Sequence, residues 1–440
     1  MRNTPTLRPP AATTPRRRHR TGVYRAALIV AATTALTTAT LGLASPAGAA
    51  AAPGAFPAYT TNNIPVADLP GRVAVDQSTH TAYVTQVRFA PQGTIAPNGR
   101  VSVIDLTTNQ VIHTIEVGPN PSGVAVDEGN HRVYVANSGT QDIVGPPIGN
   151  TVSVIDTTTS TLVGAVAIAG YPEAVAVDHR TQRVYVSNRG VGYITFNAVS
   201  VIDPATLQVS DTVPVSQPGA IALDEGTNTA YVSVTGIGTC GCEGAVSAIN
   251  LTSKQVTNIS VGPGPFGVDV DVDVDQGTHR AYVANTGYTR GDGVHFGSTL
   301  SVIDTTTNKL TDTVFVGDSP IIVALDPAAH TAYVTKSDGA VAVVDTTTNR
   351  LVGTVIVGGN PAGVAVYKGT HSAYVANGLD KGHGAVVTRQ RDGNTEPTTT
   401  SVGAINAVAG TSSVLFTTVA PGMTGRECGL QRWAVHHRWV

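Results

Sequence analysis

The chain has 440 residues, 41% hydrophobic and only 13% charged, with 47 Gly and 26 Pro, which gives a large core to a turn-rich chain whose recurrent Val, Ile, Thr and Tyr favour strands over helices. Seven arginines and no acidic residue fall within the first 49 positions. The remainder therefore carries 20 basic against 30 acidic groups, a formal charge of −10 that argues against broad nucleic-acid or anionic-membrane binding.

From the N-terminus, Arg8, Arg16, Arg17, Arg18, Arg20 and Arg25 make a basic leader. Residues 26–43 are uncharged and rich in Ala, Leu and Thr, and Ala47-Gly48-Ala49 supplies the small-x-small pattern of a signal-peptidase site. Five threonines dilute the stretch. Residues 1–49 are therefore expected to be a signal peptide cleaved after Ala49, leaving no stable membrane span and a secreted or cell-surface protein. Residues 50–62 read as a short linker.

A repeat then dominates. Its fullest copy runs Pro121-Ser-Gly-Val-Ala-Val-Asp127, Arg132-Val-Tyr-Val-Ala-Asn137, Val152-Ser-Val-Ile-Asp156 and Val166-Ala-Ile168. Its tyrosine recurs as Tyr83, Tyr134, Tyr185, Tyr231, Tyr282, Tyr333 and Tyr374, at spacings of 51, 51, 46, 51, 51 and 41. Each unit holds four short β-prone runs, A to D, bounded by Gly, Pro, Asn or Thr. Four antiparallel strands at such a period match a propeller blade, and a lone blade cannot bury both its faces, so neighbours must stack on it. The expectation is an all-β, seven-bladed β-propeller of four-stranded antiparallel blades over residues 63–388.

Ring closure has two candidates. Ile64-Pro-Val66-Ala-Asp-Leu-Pro70 shares the Ile-x-Val-x-x-x-Pro frame of Ile115-Glu-Val117-Gly-Pro-Asn-Pro121, so residues 63–66 can supply the last strand of blade seven. The rival is Thr398-Thr-Thr-Ser-Val-Gly-Ala-Ile405 in the tail, residues 389–440. Blade five carries an extended Gly267-Val-Asp-Val-Asp-Val-Asp-Val-Asp275. Same-face carboxylates about 7 Å apart along a strand are too far apart to grip one ion together, so a bulge or slipped strand end is expected there.

The D-to-A and B-to-C connections emerge on one face. The opposite face holds A-to-B and C-to-D turns that are short and nearly identical. The B-to-C loops at 85–100, 138–150, 189–198, 235–244 and 286–299 are long and diverse, and only 336–339 is short. Long loops on a rigid scaffold are the usual place for binding. The ligand-binding candidates there are Arg88, Asp142, Arg189, Tyr193, Tyr288, Arg290, Asp292, His295 and Asp380. The histidines His80, His131, His279, His330 and His371 sit three residues before repeat tyrosines. They are spread around the ring and cannot converge on the roughly 2 Å bonds of zinc. Cys240 and Cys242 with Cys428 suggest a loop pair or a tail-to-loop bridge rather than a metal centre. No metal site or cofactor is expected.

The segments Val133-Tyr-Val-Ala-Asn137, Val184-Tyr-Val-Ser-Asn188 and Ala281-Tyr-Val-Ala-Asn285, each followed by Val- or Leu-Ser-Val-Ile-Asp, resemble the YVTN family of β-propeller repeats. That family includes archaeal surface-layer proteins and exported bacterial proteins of the YncE-like type. The matching residues build strands and turns, and no catalytic constellation comes with them. Seven repeats of purely structural motifs, one variable face and the export signal point to an extracytoplasmic binding or surface protein that recognises a small molecule, a glycan or a protein through its B-to-C loops, and lean away from an enzyme. The alternative is a propeller lactonase or hydrolase with a channel-mouth site built from Asp142, Asp292, His295 and Asp380, which requires their convergence.

Overall fold

The computed structural model describes residues 59–90, 94–139, 149–190, 196–237, 243–262, 272–275, 277–289, 295–378 and 383–391. All belong to the compact unit Phe56–Val440. The expected signal peptide, the tail candidate at 398–405 and all three cysteines lie outside the described residues. Among the described residues every named element is a strand, and no helix is long and apolar enough to cross a membrane.

Six stretches of chain each form a self-contained four-stranded antiparallel sheet, with consecutive strands side by side. These are blades one to six, and their inner strands are Leu69–Asp76, Pro121–Asp127, Tyr171–Val177, Pro218–Asp224, Val272–Asp275 and Pro320–Asp326. A further four-stranded sheet is composite: Asn360–Tyr367, Ser372–Gly378 and His383–Arg391 come from one end of the chain, and Tyr59–Ala67 from the other. The expectation of seven blades is corrected accordingly. Six blades are complete in themselves, because the seventh tyrosine repeat supplies only three strands. Tyr59–Ala67 covers the edge those three leave, pairing without a break from Tyr59↔Arg391 to Ala67↔His383.

The inner strands of successive sheets touch in chain order, and Asn360–Tyr367 touches Leu69–Asp76, so the sheets close a ring. The core lies between sheets. One cluster joins Tyr134, Val152 and Val154 of blade two to Val175, Val177 and Val184 of blade three. Another joins Ile64, Val66 and Tyr374 of the composite sheet to Val73, Val84 and Ile104 of blade one. Burial on both faces explains why the middle strands are apolar nearly throughout rather than alternating. In blade five the described part of the inner strand runs from Val272↔Val283 to Asp275↔Arg280; residues 263–271 lie outside the description.

The repeated histidines have a backbone cause. His80, His131, His279, His330 and His371, with Gln182 and Asn228 at the matching positions, all have φ of 48–60°. That left-handed region favours Asn, Asp and His among residues with a side chain. The conformation turns the carbonyl toward the neighbouring C-to-D turn. There it accepts the N–H of Leu106, Thr157, Thr305 and Thr346 from His80, His131, His279 and His330, each at 2.9 Å.

Candidate functional site

Inner strands enter the ring through a bulge. Pairing with the next strand slips between Pro70 and Val73, Pro121 and Val124, Pro172 and Ala174, Pro218 and Ile221, Pro320 and Val323, and Pro361 and Gly363. A bulge frees backbone groups and re-aims side chains. Hydroxyls of the neighbouring strand satisfy the freed groups: Thr85 Oγ1 accepts from Arg72 N at 2.9 Å, Ser187 Oγ from Ala174 N at 3.1 Å and Thr335 Oγ1 from Ile322 N at 3.1 Å. The residues displaced in this way line the ring axis at the end where the B-to-C loops emerge.

A cavity of about 410 Å³ opens there, within the range of small-molecule sites. Arg72, Ser122, Ser138, Tyr171, Glu173 and Arg189 are among its lining residues, with apolar wall from Val87, Pro121, Ile321 and Ala362. A smaller cavity of about 150 Å³ continues along the axis past Arg72 and Glu173. A third, of about 290 Å³, reaches the opposite end beside Gln77 and Lys368. Arg189 Nη2 lies 3.2 Å from Glu173 Oε2. Arg72 Nη1 donates to the Ala362 carbonyl of the composite sheet at 3.4 Å.

The sequence candidates are placed unevenly. Arg189 lines the cavity. Arg88 does not: it donates to Asn98 Oδ1 at 2.8 Å and lies 3.5 Å from Glu116 Oε1, which ties its loop to the outer strand of blade one. Tyr288 and His295 belong to a two-stranded ribbon in which Thr289 pairs with His295 and Tyr288 with Phe296. Asp142, Tyr193, Arg290, Asp292 and Asp380 lie outside the described residues, so the convergence required by the hydrolase alternative falls there too.

Asparagines at the B-strand ends turn out to join strands. Asn137 Nδ2 donates to Ser153 Oγ at 2.9 Å, Asn188 Nδ2 to Ser200 Oγ at 2.7 Å and Asn285 Nδ2 to Ser301 Oγ at 2.8 Å, each across to the next strand of its own blade. Where blade six has Lys336 instead, the partner position is Ala342, and the lysine reaches Asp338 Oδ2 at 2.9 Å. Among the described residues no group of three or more His, Cys, Asp and Glu is placed to hold a metal ion.

Arg72 and Glu173 were missed by sequence reasoning, which searched the long loops and passed over the inner strands. The signal was present: aligning the repeats puts Arg72 against Gly123, Ala174, Ala220, Ile322 and Gly363, and Glu173 against Gly71, Ser122, Gly219, Ile321 and Ala362. A charge at either position departs from what the ring itself uses.

The chain matches no protein-family model and no curated protein. Among solved structures it is similar to hydrazine synthase from Kuenenia stuttgartiensis, with a TM-score of 0.59 and 17% identity over 74% of this chain and 96% of that one. At that identity the likeness concerns architecture alone, and with the ring of four-stranded sheets it establishes the chain as an all-β propeller.

Proposed function

We propose that this chain is an exported binding or surface protein of the YVTN/YncE-like repeat type, which recognises its ligand where the B-to-C loops surround the channel mouth. The observation that carries this reading is the contrast between the two ends of the ring. At one end Asp105, Asp156, Asp304 and Asp345 each accept two N–H bonds in the same short Asp-x-Thr-Thr turn. At the other end the connecting segments differ in length and sequence, and Val87, Ser138 and Arg189, at the starts of three of them, line a cavity of about 410 Å³. Repetition at one end and diversity at the other support reading the second as the recognition end.

Two measurements test the reading. N-terminal sequencing of the protein recovered outside the cell is expected to start at Ala50; retention of residues 1–49 in the mature product sinks the export part. Screening the purified protein against glycan, peptide and small-molecule arrays is expected to yield a ligand whose binding is lost when the 138–150 loop is shortened and kept in Thr158→Ala on the opposite end. Binding indifferent to the loop end overturns the assignment of the face.

A further inference from the structure

The repeats provide an internal control. At the bulged inner positions the ring is built from small or aliphatic residues such as Gly123, Ala220, Ile322 and Gly363, and after the B strand from Val87, Ser138, Thr286 or Ser337. Strand pairing and stacking therefore do not require Arg72, Glu173 or Arg189 at those places. Nevertheless all three line the same cavity. Three charged departures from three separate strands meeting in one small space have a common cause in what that space holds.

Their arithmetic is informative. Two guanidinium groups and one carboxylate line the cavity, with Arg189 Nη2 3.2 Å from Glu173 Oε2, so these three groups sum to one positive charge whichever of the arginines the carboxylate engages. They do so in a protein whose residues after 49 total −10. In a chain of negative total charge, a lining whose own charged groups sum to a positive charge favours an anion locally. Guanidinium forks match the planar geometry of a carboxylate. Val87, Pro121 and Ile321 supply apolar wall beside them. A single net charge suits a monoanion better than a dianion, and the wall suits a carbon body better than bare hydration.

The geometry points to a site for a small organic monocarboxylate, its carboxylate between Arg72 and Arg189 and its apolar body against Val87, Pro121 and Ile321. Glu173 is a positioning residue that holds the Arg189 fork toward the axis. The inference rests on reading the channel mouth as the recognition face and adds the chemical class of the ligand.

Calorimetric titration of the purified protein at low salt tests it, with benzoate, phenylacetate and isovalerate, the amide of each, and inorganic phosphate as probes. At least one acid is expected to bind tenfold or more tightly than its own amide and than phosphate. Arg189→Gln and Arg72→Gln are each expected to weaken that acid at least tenfold. Arg180→Gln, a cation on the opposite end with its side chain 55% exposed, is expected to change nothing. Acids and amides binding alike, or no acid binding, overturns the proposal in the unaltered protein, whatever the folding of the variants. So does full affinity in an arginine variant that keeps its thermal midpoint. If a neutral ligand from the arrays occupies the mouth while these acids fail, the monocarboxylate inference falls alone. If the loop end binds nothing, both fall.

Discussion

Leu207 holds the left-handed position of a C-to-D turn, with φ of 53°, where blades one, five and six place Asn109, Asn308 and Asn349. Those asparagines do two things. They adopt a backbone that costs a leucine about 1 kcal/mol or more, and their Oδ1 accepts the repeat tyrosine of the preceding sheet. Tyr231 donates to Asn308 at 2.7 Å, Tyr282 to Asn349 at 3.4 Å and Tyr374 to Asn109 at 3.1 Å. In the matching place Tyr134 faces Leu207, and its hydroxyl is buried without a partner. Burial pushes that hydroxyl up to about 12. Replacing Leu207 by Asn relieves backbone strain and provides an acceptor, and forfeits the partial packing of the leucine on the Tyr134 cluster. An orphaned buried hydroxyl costs about 1–3 kcal/mol and a half-buried leucine contributes about 1 kcal/mol, so Leu207→Asn is expected to stabilise by about 1 kcal/mol in urea unfolding. Tyr134→Phe, which removes the orphaned hydroxyl, is expected to stabilise by about 1 kcal/mol, whereas Tyr231→Phe is expected to cost about 1 kcal/mol. Equal losses in the two tyrosine variants would remove this account of the turn.

The strand Tyr59–Ala67 is the element on which the ring depends most, because among the described residues it alone pairs with a strand more than 300 positions away, within the sheet that closes the ring. Ile64 and Val66, 2% and 5% exposed, sit in the cluster that also holds Tyr374 and blade-one residues. Ile64→Ala is expected to cost about 3 kcal/mol. A protein lacking residues 59–67 is expected to show a broadened, lower thermal transition, and a synthetic peptide of those nine residues is expected to restore it. An unchanged midpoint in the shortened protein would mean that the strand is an appendage. The frame Ile64-Pro-Val66 could be read in the sequence because it repeats the spacing of Ile115-Glu-Val117, a pattern set by burial of alternate residues on a strand. Strands and turns were legible for the same reason: seven copies average out local ambiguity. The site was less legible. Arg189, a candidate because it sits at a loop, lines the cavity, but Arg72 and Glu173 lie inside strands whose repeat pattern invites the eye to skip them. Only the bulges, which no residue pattern announces, turn them to the axis.

Across the whole molecule, both ends of the ring are stitched from sheet to sheet. At the loop end Thr85 Oγ1 donates to the Ser122 carbonyl at 3.1 Å, Ser138 Oγ to that of Pro172 at 2.7 Å and Thr286 Oγ1 to that of Pro320 at 2.6 Å. At the turn end His371 Nδ1 lies 2.8 Å from Asp326 Oδ2, and His279 Nδ1 lies 3.3 Å from Asp224 Oδ2, each reaching back to the preceding blade. At the junction of the composite sheet with blade one, Tyr367 stands where other sheets have that aspartate, its hydroxyl 2.6 Å from His80 Nδ1. Gln77 adds two bonds across the same junction, its Nε2 donating to the Val366 carbonyl and its Oε1 accepting from Lys368 N, both at 2.9 Å. Because these bonds link neighbouring sheets rather than strands of one blade, losing one is felt by the ring as a whole. Asp224 makes this measurable. Burial raises its carboxyl, but hydrogen bonds from Thr305 Oγ1, the Thr227 N–H and His279 outweigh burial and hold it below the usual range. A carboxyl that titrates lower folded than unfolded, where it titrates near 3.9, contributes stability that is whole well above that value. The contribution disappears as pH falls through the folded value. Asp224→Asn is therefore expected to lower stability by about 2 kcal/mol at pH 7, the scale of a buried charged hydrogen-bond set. The gap between variant and parent should narrow by pH 3. Urea unfolding followed by tryptophan-independent far-ultraviolet dichroism at the two pH values reads both quantities. A gap of the same size at both would show that the Asp224 charge has no part in holding blade four to blade five.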